Sequence, residues 1–100
     1  MDLDNGAFYF GKNGTWQNSG NPASGASKTG AARSFTPDGT FYFFATSNYT
    51  SNSEVKANFG NGFFGTTAVS SAGTNASNNG IFEYDVPSGY TALSTKGLNL

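Results

Sequence analysis

The sequence predicts an all-β, antiparallel fold, and three observations carry that expectation. Gly, Asn, Ser and Thr make up nearly half of the 100 residues, while charged residues are only 11%. That composition suits turns and strands and is poor in the residues that favour helices. Aromatic residues reach 16% and the net charge is only −1, so the chain has material for a core and lacks the charge excess of a disordered segment. Its apolar residues recur in short alternating runs separated by Asn-Gly, Pro-Asp-Gly and Ser-rich stretches, and no segment has a helical period.

The elements follow in order. Phe8 and Phe10 alternate with Ala7 and Tyr9, the two-residue period of a strand with one buried face. Lys12-Asn13-Gly14-Thr15 comes next. Asn-Gly between two strand-like runs predicts a type I′ hairpin turn, because that turn needs positive φ twice. Thr15–Gln17 is the return strand, and residues 18–33 form a Ser/Gly/Ala loop without a period. Pro37-Asp38-Gly39 is a turn.

Residues 40–46, TFYFFAT, read as a central strand covered on both faces. After the polar loop 47–53, EVKANFG alternates with Val55, Ala57 and Phe59 inward, and is expected to pair antiparallel with 40–46. Asn61-Gly62 turns, and residues 65–80 are a second loop. The run IFEYDVPSGY closes the pattern, with Phe82, Tyr84 and Val86 on one face until Pro87 ends the strand. Five or six strands are expected, with Phe8, Phe10, Phe41, Phe43, Phe59, Phe82 and Tyr84 in the core.

Missing residue types narrow the function. The chain has neither Cys nor His, which removes disulfides, thiolate chemistry, the commonest general base and the usual zinc ligands. The five basic residues (Lys12, Lys28, Arg33, Lys56 and Lys96) are scattered, so no patch tracks a phosphate backbone and nucleic acid is not an expected partner. No apolar run reaches the roughly 18 residues of a membrane span, and no basic segment leads into an apolar one as in a signal peptide. A soluble location is expected.

Three landmarks then stand in order: DLDNGAFYFGKNGTW, TFYFFATSNYTSNSEVKANFG and PSGYTALST. The first resembles the SPRY-domain hairpin, a D-x-x-x-G strand leading into one that ends in N-G. The second is similar to that family's later strand pair ending in N-F-G, and the third to its closing P-x-G-[YF]-x-A-L segment. The wording is most like SPRY-type modules of bacteriophage and environmental viral structural proteins. The resemblance implies a concanavalin-like β-sandwich of which residues 1–100 form a single, partial domain, its C-terminal portion. It implies a non-catalytic binding or structural module, such as part of a tail fibre or decoration protein. The expected partners are a protein, a host-surface glycan, neighbouring virion subunits or another copy of the chain. Phe43-Phe44 stand where the family often has Tyr-Pro.

Chemistry-bearing residues are few. Tyr49 lies in a polar loop between Asn48 and Asn52, the Tyr/Asn/Ser composition of adaptable recognition loops, and Trp16 could also stack on a ligand. These four residues are the candidate binding set, and no cofactor or metal is expected. Asp2-x-Asp4-x-Gly6 matches the opening of a calcium loop, but Gly6 and Asn13 stand where oxygen ligands are required. Glu83-x-Asp85 would share one face of a strand and resembles the start of the E-x-D-x-x-E signature of jelly-roll glucanases. A carbohydrate-active enzyme remnant using Glu83 and Asp85 is therefore the alternative, weakened by Ser88 at the third signature position.

Overall fold

The computed structural model describes residues 1–74 and 80–94. The fold is built of short antiparallel strands with two 3₁₀ segments, and the described residues contain no α-helix. The chain divides into two compact units, residues 1–42 and 43–100.

In the first unit, β1 (Ala7–Phe8) pairs antiparallel with β4 (Arg33–Ser34). Ala32 N–H donates to the Phe8 carbonyl at 2.8 Å and Phe35 N–H to the Gly6 carbonyl at 2.9 Å, extending that ladder at both ends. β2 (Gly11–Lys12) and β3 (Thr15–Trp16) form the expected two-residue hairpin, with Asn13 and Gly14 at φ 51° and 76°. The stretch 18–33 is more ordered than its composition suggests. A 3₁₀ segment spans Gln17–Ser19, and a second, Pro22–Ser27, starts where the Asn21 side chain accepts from Ala23 N–H and Pro22 occupies the first turn.

The buried side chains of this unit are Ala7, Tyr9 and Pro22, whereas Phe10 is 57% exposed and Phe8 half-buried. The alternation is as expected but the inward face is the opposite one, as a one-residue shift of register requires. Two contacts accompany it. A Cβ on Gly6 would lie 2.0 Å from the Phe35 carbonyl oxygen, so the chain passes close against its neighbour just before the small, buried Ala7. Tyr9 brings a hydroxyl that meets Ser24 Oγ at 3.4 Å, and that Oγ also accepts from Thr29 N–H at 2.9 Å. A phenol with a partner can be buried; Phe8 and Phe10 instead pack edge-to-face on each other, with ring centroids 4.7 Å apart.

In the second unit, β5 (Phe63–Phe64) and β6 (Thr67–Ala68) form a hairpin, and β7 (Gly73–Thr74) pairs antiparallel with β8 (Ile81–Phe82). Two short pieces of the expected loop 65–80, Thr67–Ala68 and Gly73–Thr74, are therefore strand, and its residues 75–79 lie outside the described part. Asn58 joins the two pairs. Its Nδ2 donates to the Ile81 carbonyl at 2.9 Å, while its Oδ1 accepts from Gly60 N–H at 2.8 Å and Gly62 N–H at 3.3 Å. Gly60 and Gly80 cross so closely that a Cβ on Gly80 would lie 2.7 Å from Gly60 Cα.

The expected central strand is not formed. Residues 40–46 and 54–58 carry no strand, and among the described residues no backbone hydrogen bond pairs the two segments. Phe41, Phe43, Phe59 and Tyr84, all assigned to the core, are exposed at 100%, 87%, 42% and 53%. What joins the two segments is a side-chain contact: Phe44 meets Phe59 edge-on at 6.3 Å. Aromatic attraction without a ladder holds them near each other but leaves their faces open to water. Strand β8 ends at Phe82, well before Pro87.

Candidate functional site

Three of the four expected binding residues lie on one loop, residues 47–53, which its own hydrogen bonds close. Asn48 Nδ2 donates to the Ser53 carbonyl at 2.5 Å, Ser53 N–H donates to the Thr50 carbonyl at 3.2 Å, and the Thr50 and Ser53 hydroxyls meet at 3.1 Å. Asn48 is thus a structural staple of the loop. Tyr49 is fully exposed, at 102% of its reference accessibility, and Asn52 is exposed beside it. The loop carries no charge: along the chain, Asp38 and Glu54 are the first ionisable side chains on either side of it other than the Tyr phenols. An aromatic face beside free amide and hydroxyl groups can stack on a ring and hydrogen-bond its substituents.

Trp16 belongs to the first unit. In the β2–β3 hairpin it stands directly across from Gly11, and a Cβ built on Gly11 would lie 3.5 Å from the indole atoms Cε3 and Cζ3. The ring therefore lies over bare backbone, and the residue remains 38% exposed. The Asn-Gly dipeptide marks the hairpin in the sequence, but the Gly-under-Trp arrangement follows only from its two-residue register.

The carboxylate pair is not laid out as the glucanase alternative requires. Because β8 stops at Phe82, Glu83 and Asp85 do not stand side by side on a strand. Glu83 is committed elsewhere: Ser70 donates both its hydroxyl to Oε1 and its N–H to Oε2, the latter at 2.7 Å. These bonds favour the ionised form and hold the Glu83 carboxyl below its ordinary range, the reverse of what a general acid needs.

At the N-terminal end, the Asp2 carboxylate accepts from Asn5 N–H and Asn5 Nδ2 at 3.0 and 2.9 Å, which locks a turn and lowers its pKa. Among the described residues no group of three acidic, His or Cys side chains is placed to hold a metal, and no helix is long and apolar enough to cross a membrane. Comparison with protein-family models, curated proteins and solved structures gives no match to this chain.

Proposed function

We propose that the chain is a non-catalytic binding or structural module, of the SPRY-type β-sandwich kind found in phage virion proteins, that contacts a glycan or a protein through its loops. The reading draws on the three ordered sequence landmarks, the small antiparallel sheets, and the lack of Cys and His. The observation that carries it is Tyr49, fully exposed on a loop closed by three internal hydrogen bonds. A loop already closed loses little further entropy on binding, and an aromatic ring is an efficient anchor.

The test is a glycan array probed with the labelled chain, followed by titration of the best glycan against wild type and Tyr49→Ala. Tyr49→Ala is expected to lose about 1–2 kcal/mol of affinity with an unchanged denaturation midpoint. Equal binding by the two proteins would remove the site from this loop. Hydrolysis of a β-glucan by wild type and not by Glu83→Gln would replace the whole reading with an enzymatic one.

A further inference from the structure

The geometry points to Trp16 as a second platform, a stacking site for one uncharged pyranose ring on the face of the β2–β3 hairpin. This inference rests on the reading of the chain as a binding module, but it concerns a different unit and a different ligand contact from the Tyr49 loop.

Four features support it. First, the indole is backed by backbone: its cross-strand partner is Gly11, and the ring atoms sit at van der Waals distance from the place a Cβ would occupy. The ring is thereby held in place, which spares a ligand the cost of ordering it. Tyr49, fully solvated, has no such backing. Second, the residue keeps 38% of its surface open despite that contact, so part of a large π surface stays available.

Third, the surroundings are polar without charge. Gln17, Asn18 and Ser19 follow the ring along the chain and are exposed and uncharged, whereas Lys12 and its partner Thr15 stand on the opposite face of the hairpin from Gly11 and Trp16. Such a border matches hydroxyl groups better than an acid or a base. Fourth, the scale fits. One aromatic ring offers roughly 150–250 Å² at most, far below the roughly 800 Å² that each side of a stable protein interface buries. A single sugar ring is of matching size.

The experiment uses the fact that Trp16 is the only tryptophan, so its fluorescence reports this site alone. The intact chain is titrated with cellohexaose, chitohexaose and mannohexaose, following indole emission and binding heat in parallel. At least one sugar is expected to change the emission saturably, with the same midpoint by heat. Trp16→Ala should weaken that sugar's binding about tenfold or more. Gly11→Val, which keeps the indole but places a branched side chain beneath it, should weaken it as well, with an unchanged denaturation midpoint. Tyr49→Ala should leave the fluorescence titration unaltered.

Binding heat that saturates with no change in indole emission would overturn the inference. So would binding lost in Tyr49→Ala and kept in Trp16→Ala, which leaves the Tyr49 reading standing. Absence of saturable binding to all three sugars also overturns it, whatever the glycan array shows for the Tyr49 loop.

Discussion

At the scale of single residues, the glycines say most about how the chain is held. Gly6 has φ +70°, and any Cβ there would meet the Phe35 carbonyl oxygen at 2.0 Å, with Pro37 Cδ at 3.0 Å. Gly39 has a similar φ, +77°, but nothing lies within 4 Å of its would-be Cβ. The pair separates two effects that usually travel together. Gly39→Ala should cost only the left-handed backbone penalty, about 1–2 kcal/mol. Gly6→Ala adds a clash with backbone that cannot rotate away, for a total of about 2–4 kcal/mol. Urea denaturation of the two variants beside wild type reads the difference directly, and equal losses would mean that the Gly6–Phe35 approach relaxes freely. That Ala7 and Tyr9, rather than Phe8 and Phe10, turn inward is something a period of two cannot decide, because both faces carry aromatic rings.

At the scale of elements, the bond between Ser70 and Glu83 ties the segment after β6 to the segment after β8. It should respond to pH with a definite sign. The folded-state pKa of Glu83 is lowered, first by the Ser70 hydroxyl and then by the Ser70 N–H, so folding favours the ionised form. The stabilisation is complete above the ordinary glutamate value of about 4.3 and is lost as pH falls through the lower folded value. Melting temperatures taken between about pH 6 and about pH 3 should fall more steeply for wild type than for Glu83→Gln or Ser70→Ala. Parallel curves would show that the bond adds nothing in solution.

Elements defined by a local dipeptide were legible in advance: Asn13-Gly14 imposes its turn wherever it stands, because few other pairs accept positive φ twice. Residues 40–46 and 54–59 were not, since alternation shows that a segment could be a strand but not that a partner will supply its ladder. The candidate site divides the same way. Exposure of Tyr49 follows from a polar, charge-free loop, while the Gly11 seat of Trp16 and the triple bond set of Asn58 depend on residues brought together by register or by a turn.

At the scale of the whole molecule, apolar surface is the governing quantity. Among the described residues the buried hydrophobic ones are Ala7, Tyr9 and Ala92. No large side chain is fully buried among the described residues, while Phe41, Phe43, Phe44 and Leu93 each keep well over half of their surface in water. Burial of one such aromatic ring returns roughly 1.5–3 kcal/mol, so water drives these side chains toward any apolar contact they can find. Charge does not oppose the approach of two copies. The stretch 39–53 holds no charged side chain, and the net charge of −1 leaves little long-range repulsion. The isolated chain is therefore expected to be marginally stable and to associate as its concentration rises. Sedimentation velocity over a concentration series should show the average mass increasing above that of one chain. The double variant Phe41→Ser, Phe43→Ser should shift that increase to higher concentration without lowering the denaturation midpoint, because both side chains give up almost no burial in the folded chain. A wild type that stays monodisperse at one chain's mass, and unfolds cooperatively with more than about 5 kcal/mol, would show that these rings are covered in solution by the chain itself.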